Sequence, residues 1–310
     1  MRFGRFERLS LFVTMILSVV FQVLPASAEE PPLAYDISWP QCPEALPAGD
    51  FSFAIVGLND GRPFTSNDCF SSQYAWATAA EAHPDVYINL DFPREGRPQA
   101  ENGPYGLCEA ADEWCRAYNY GYALAQDAHF RAALFGVQPG RYWLDVEMAN
   151  HWSDSGSDNS QVVHGALDYF DSVSIPVGIY GTSFQWDMLV AGYVPFISRP
   201  LWVAGAESID EARGRCDDSS FAFAGGEIWL VQYPEGDFDG NVRCSRFAER
   251  ADLNTGEPPK EAGEQPSRSR PNPHRNRTAA PNSIVSKTPV FESIIPRPFS
   301  LQESRALVLN

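Results

Sequence analysis

The sequence predicts an α/β fold: a single disulfide-stapled, TIM-like (β/α) barrel. Three observations lead there. Short apolar runs alternate with helical patterns across a stretch of about 225 residues, long enough to bury a full-sized core. Six cysteines, all before residue 245, can staple that stretch. Acidic residues recur where the predicted strands end, which is where barrels of this type keep their chemistry.

The elements follow in order. Residues 35–38 read as a first strand and 51–58, rich in Phe, Ile and Val, as a second. A helix is expected over 73–82, a strand over 86–90, and a long amphipathic helix over 110–134 with a break at Gly121. A strand at 142–146, a helix at 162–173, a strand at 176–180 and a helix at 184–190 continue the alternation. Three further strands, 201–204, 228–233 and 238–242, come late with little room for helices between them. Eight strands of this kind can close, and strands alternating with helices imply parallel pairing.

The ends of the chain differ from this middle. Arg2, Arg5 and Arg8, an apolar run to about Leu24, and Ala26-Ser27-Ala28 read as a cleaved secretory signal over residues 1–28; a retained membrane anchor is the alternative. The barrel domain is assigned to 29–255. Residues 256–310, rich in Pro, Ser, Arg and Asn and without period, read as a flexible tail. Export agrees with the cysteines, since an even number in an exported chain argues for disulfides. Sequential pairing, Cys42–Cys69, Cys108–Cys115 and Cys216–Cys244, closes only local loops and is the expectation. Without a C-x2-C and with only five histidines, no structural metal is expected, and no cofactor.

Charge narrows the partners. Residues 29–255 carry twelve arginines, no lysine and 34 acidic residues, a net of about −22. Such a surface argues against nucleic acid, which needs basic patches. A secreted monomer, associated with a cell wall or free, without membrane contact after signal cleavage, is the expected form.

The chemistry lies in carboxylates. Asp36 ends the first predicted strand, Asn89 and Asp91 the third, Asp145 and Glu147 the fourth; Asp237 and Asp239 sit near the eighth. In Asp145-Val146-Glu147 both carboxylates face one side, because side chains alternate along a strand. Two close acids raise one another's pKa, which keeps one protonated as a general acid. Glycoside hydrolysis needs such a cluster. D-x-E by itself is common, so its place after Tyr142-Trp143-Leu144 carries the weight. Asp154 to Asn159 and Asp237 to Asn241 resemble calcium loops faintly and read better as polar loops. His151 reads as a loop residue near the site or simply in solvent. Gly181-Thr182-Ser183 lacks a nucleophile elbow, and no phosphate-binding glycine loop occurs.

Tyr-Asp-Ile-Ser-Trp-Pro-Gln (35–41) resembles the opening aspartate strand of glycoside hydrolase family 25, and Trp-Leu-Asp-Val-Glu (143–147) its D-x-E strand. Gly178-Ile179-Tyr180 with Trp186, then Leu201-Trp202-Val203-Ala204, then Gln232-Tyr233, follow the order of the family's later strands. The resemblance spans about residues 33–245 and is closer to a secreted, cysteine-containing, actinobacterial-type subgroup. It implies a (β/α)5β3 barrel that cleaves the β-1,4 bond after N-acetylmuramic acid in peptidoglycan or a related amino-sugar polymer. It further implies Glu147 as general acid, Asp145 stabilising the substrate's 2-acetamido group, and Asp36 as a supporting acid at the pocket floor. Tyr180, Trp202, Gln232, Asn89 and Asp239 would bind substrate, although Tyr180, Trp202 and Gln232 equally suit barrel packing. The sequence departs from the family at Val231, where a Trp is usual, and in the third strand, Tyr87-Ile88-Asn89-Leu90-Asp91. A barrel that only binds wall glycan is the alternative function.

Overall fold

A computed structural model of the chain describes residues 34–42 and 44–244. The expected signal and tail lie outside the described residues.

The chain runs β1 (Tyr35–Ile37), β2 (Ala54–Gly57), α1 (Phe70–Ala77), β3 (Asp85–Asn89), α2 (Pro98–Glu101), β4 (Asn102–Gly103), β5 (Gly106–Leu107), α3 (Glu113–Leu134), β6 (Tyr142–Asp145) and α4 (Gly156–Ser172). It continues through β7 (Val177–Gly181), α5 (Ser183–Val190), β8 (Pro200–Val203), α6 (Ile209–Arg215), β9 (Glu227–Glu235) and β10 (Phe238–Arg243). Eight strands close into a barrel in the order β1-β10-β9-β8-β7-β6-β3-β2, with β4 and β5 forming a separate small ribbon. Pairing is parallel except at β10, which runs antiparallel to both β9 and β1. The last strand departs from the parallel pairing of the βα units because Gly236 turns the chain at positive φ between two strands, leaving no room for a crossover.

Period two sorts each strand into an outer and an inner set. On β6, Tyr142 and Leu144 join the core beneath the helices, whereas Trp143 joins a second cluster inside the barrel. The same holds for Val86 and Ile88 against Tyr87 on β3, and for Leu201 and Val203 against Trp202 on β8. The inner apolar layer, with Phe53, Ile55, Trp143 and Trp202, fills the lower barrel. The next inward positions toward the C-terminal ends, Asp36, Asn89, Asp145 and Gln232, are polar. Two inward positions are glycine because rings occupy their space: a Cβ at Gly178 would lie 2.4 Å from the Trp143 ring, and one at Gly57 2.8 Å from that of Tyr87.

The outer helices differ from expectation in one informative place. Helix α3 is unbroken through Gly121. A Cβ at Gly121 would sit 2.0 Å from the Val162 carbonyl oxygen on α4, and one at Gly165 on α4 would sit 2.1 Å from that of Tyr118. The two glycines therefore permit a close helix crossing and do not end a helix. Helices α2 and α6 and the β4–β5 ribbon were not expected; they are four, seven and two residues long, too short for a periodic signal. Cysteines pair as Cys42–Cys69, Cys108–Cys115 and Cys216–Cys244. The first ties the turn after β1 to the start of α1, the second the ribbon to α3, and the third α6 to the end of β10. No helix among the described residues is long and apolar enough to cross a membrane.

Candidate active site

At the C-terminal mouth of the barrel a pocket of about 190 Å³ is lined by Asp36, Asp145, Glu147, Asp239, Tyr180, Trp202 and Gln232, together with Ser38, Gln41 and Tyr87. Every residue expected at the site except Asn89 lines it. Asn89 stands one step behind, its amide donating to Asp145 Oδ2. Asp237 lies outside it, in the turn before β10. The carboxylates meet because β1, β6 and β10 each present one inward residue at this level, while Glu147 stands two residues past Asp145 on the same inward side. Asp36 sits within β1, not at its end, with its partner Asp239 directly opposite on β10.

The hydrogen bonds distinguish the acids. Asp36 is buried, and its Oδ2 accepts from Asn241 Nδ2 at 2.7 Å and from Gln232 Nε2 at 3.1 Å. Gln232 in turn accepts the Tyr180 hydroxyl at 2.7 Å, and Asn241 accepts the Trp202 indole N–H at 2.8 Å. Trp202 and Tyr180 thus pack the barrel interior and also fix its polar floor. Asp145 is buried with Oδ2 bound to Asn89, but its Oδ1 has no hydrogen-bond partner among the described residues. A buried carboxylate oxygen without a donor is costly, so it favours a proton or an arriving donor.

Burial raises all these acids. Asp145 stands well above the ordinary carboxylate value because of burial, then because Glu147 and Asp36 repel its charge. Asp36 is pushed up to about 8, by burial first and then by Asp239, against the lowering hydrogen bonds of Asn241 and Gln232. Glu147, half-buried at the open side, is raised by burial and Asp239, and lowered by a hydrogen bond from Gln185. Clustered carboxyls that cannot all ionise are the arrangement that keeps an acid protonated near neutrality.

Gln185 and Asn241 were not anticipated. Gln185 lies in the first turn of α5, whose Thr182 cap accepts from its N–H at 3.1 Å; its Oε1 accepts the Met148 N–H at 2.7 Å, fixing the chain just past Glu147. The Thr182-x-x-Gln185 spacing of a capping box was a visible signal. Asn241 lies in the expected last strand, 238–242, in a stretch whose polar residues also read as a loop. That segment is strand β10, and the i, i+2 spacing of Asp239 and Asn241 sets both inward. His151 is exposed, and its carbonyl accepts the Phe92 N–H at 2.7 Å. Among the described residues no group of three His, Cys, Asp or Glu side chains is placed to hold a metal ion.

Two pH-dependent results are expected. Asp36 goes from 3.8 to about 8 on folding, and Glu81, at the barrel's foot, from 4.5 to about 7, mainly by burial. Raised values mean that the folded state binds protons more tightly. Their contribution is fully present below pH 4 and is lost as pH climbs through 7 and 8. Thermal unfolding between pH 5 and 8 should therefore show a falling Tm, and a rising one would contradict this ionisation pattern. Second, Gln185→Ala removes the bond that holds the Glu147 pKa down. Any catalytic pH profile governed by protonated Glu147 should extend to higher pH in the variant, and a limb moving to lower pH would refute that role for Gln185.

A family model described as "Lysozyme-like protein 1" matches residues 119–221. "Probable GH family 25 lysozyme 3" of Dictyostelium discoideum is 36% identical over 72 residues, 23% of this chain and 15% of that protein. "Probable GH family 25 lysozyme 2" of the same organism is 24% identical over 159 residues, 51% of this chain and 63% of that protein. The chain therefore spans less than two thirds of the length of these curated relatives. Among solved structures, a glycosyl hydrolase 25 of Streptococcus pneumoniae is similar at 17% identity and a TM-score of 0.44, over 69% of this chain and 88% of that one. The family model and the curated relatives support a likeness to the family 25 lysozymes; none of the relatives named is actinobacterial.

Proposed function

We propose that the chain is an exported glycosidase of the family 25 lysozyme type, cutting the β-1,4 bonds of peptidoglycan or a related amino-sugar polymer. The observation that carries this reading is the convergence of Asp36, Asp145, Glu147 and Asp239 on one open pocket, with a buried oxygen of Asp145 left without a donor. The pocket's volume, about 190 Å³, is below that of sites enclosing drug-sized ligands, roughly 300 Å³ and above. It suits one sugar ring, with the rest of the polymer in the open mouth.

In this reading Glu147, half-buried at the open side of the pocket, gives its proton to the glycosidic oxygen as the bond to the anomeric carbon breaks. The carbonyl oxygen of the substrate's own 2-acetamido group closes on that carbon. Asp145 Oδ1 accepts the amide N–H and steadies the positive charge that forms. Water then adds at the anomeric carbon as its bond to the acetamido oxygen breaks, and passes a proton to the Glu147 carboxylate, restoring both the acetamido group and the acid. Asp36 supports Asp145 from the floor, held by Gln232 and Asn241. Tyr180, Trp202 and Asp239 shape the ring site, and Asn89 orients Asp145. The substrate is a wall glycan, the protein acts outside the cell, and the kinship to a cysteine-containing actinobacterial-type subgroup belongs to the same proposal.

The test is release of new reducing ends from purified peptidoglycan by the mature protein. Muramic acid at the new end supports muramidase action, and glucosamine there moves the proposal to the other bond. Sedimentation with the wall without any release replaces the enzyme by a glycan-binding barrel.

A further inference from the structure

The described part of the chain contains ten arginines and no lysine. Seven of these arginines, at 116, 131, 141, 199, 213, 215 and 243, each have a carboxylate within 4 Å. The other three, Arg62, Arg94 and Arg97, have no such partner among the described residues, and all three line one pocket of about 390 Å³. In a domain with a net charge of about −22, the described guanidiniums that lack a carboxylate within 4 Å are gathered in one place. One acid, Asp91, shares the pocket, and it is buried and bound to the Tyr120 hydroxyl at 2.7 Å. The pocket is therefore net positive, on a surface that is otherwise negative.

Its place matters as much as its charge. The pocket is built from the loops after β2 and β3, at the same mouth as the carboxylates. Asp91 is two residues beyond Asn89, which binds Asp145, a step of about 7 Å along an extended chain. Beside the Arg62 loop stands Trp39, 46% exposed, on the turn whose Ser38 and Gln41 line the acid pocket. Gly61, next to Arg62, packs on its indole so closely that a Cβ would lie 3.0 Å from Nε1. The loop carrying Arg62 is also firmly built. Phe64 holds a left-handed backbone at φ 61, clamped by Arg131 Nη2 to its carbonyl at 3.0 Å and by Thr65 Oγ1 to the Arg62 carbonyl at 2.6 Å.

We infer that the Arg62–Arg94–Arg97 pocket is a second subsite that takes the carboxylates of the peptide attached to the wall glycan. Guanidinium forks match carboxylates in pairs, and arginine rather than lysine is suited to that bidentate geometry. A glycan strand lying across the acid pocket and Trp39 would carry its peptide to the arginines. This subsite rests on the wall-glycan reading of the acid pocket and adds to it a preference for peptide-bearing strands.

The test uses the full mature chain as Glu147→Gln, so that binding is read without turnover. Calorimetric titration compares a bare wall disaccharide, the same disaccharide carrying its tetrapeptide, the free tetrapeptide, and inorganic phosphate. The peptide-bearing probe should bind about tenfold tighter than the bare one. Adding Arg62→Gln, Arg94→Gln and Arg97→Gln should erase that tenfold while leaving the bare disaccharide unchanged. A gain that survives the three substitutions, or no gain at all, overturns the subsite. Phosphate bound through the arginines more tightly than the free tetrapeptide overturns it in favour of a phosphate polymer. If neither disaccharide probe binds, the free tetrapeptide decides: arginine-dependent binding keeps the carboxylate site while the glycosidase reading falls, and no binding ends both.

Discussion

Glu147→Gln is expected to lower reducing-end release from peptidoglycan by about 10²–10⁴-fold, the usual worth of a positioned general acid. The substitution keeps size and hydrogen-bonding shape, so the pocket and its sugar contacts should persist. The loss should fall on kcat with KM little changed, because the proton is delivered only as the bond breaks. Removing one of the clustered charges should also let Asp145 ionise more readily, since Glu147 is the foremost charge holding its pKa up. Binding of substrate to the variant should therefore not weaken. A variant retaining a tenth or more of the wild-type rate would move the acid role to another member of the cluster. Asp239, which opposes Asp36 across the β1–β10 pair, would be the first to examine.

What could be read from residues alone was whatever repeats along a strand. The D-x-E alternation placed Asp145 and Glu147 on one inward side, and the same alternation set Trp143 beneath them. Sequential pairing of the cysteines was one choice among the fifteen that six cysteines allow, and the structure has it. Less legible was anything that depends on two elements meeting. Asn241 fell inside the expected strand 238–242, but Asp237-Phe-Asp-Gly-Asn is also dense in turn formers and nothing in it named a partner. Only pairing with β9 and β1 brings its amide to Asp36. Gln185 reaches Glu147 from a different βα unit, so its capping position was visible but its destination was not. The three arginines are separated by up to 35 positions, and nothing local marks them as the unpaired ones; that emerges only when the other seven find their acids. Gly121 was misread for a related reason. A glycine inside a helical pattern signals a break when only its own helix is considered.

The helix crossing gives that glycine a measurable role. Gly121→Ala should gain up to about 1 kcal/mol of helix propensity and still destabilise the domain. The added methyl carbon meets the Val162 carbonyl oxygen at 2.0 Å and its Cα at 2.8 Å, and backbone cannot rotate away as a side chain can. Helices α3 and α4 must then separate, loosening buried Leu124, Val162 and Phe170 along the contact. Overpacking of this kind costs about 3 kcal/mol or more, a Tm drop of roughly 6–12 °C for a domain of this size. Gly214→Ala in α6 is the control: nothing lies within 4 Å of its added carbon, so the same change there should raise stability by about 0.4–1 kcal/mol. Gly165→Ala meets the Tyr118 carbonyl oxygen at 2.1 Å and should cost about as much as Gly121→Ala. The double variant should lose less than the two losses added, because the first methyl already opens the gap that the second one needs. Strict additivity, or a Gly121→Ala protein as stable as its Gly214→Ala counterpart, would mean that the close crossing does not hold α3 against the barrel.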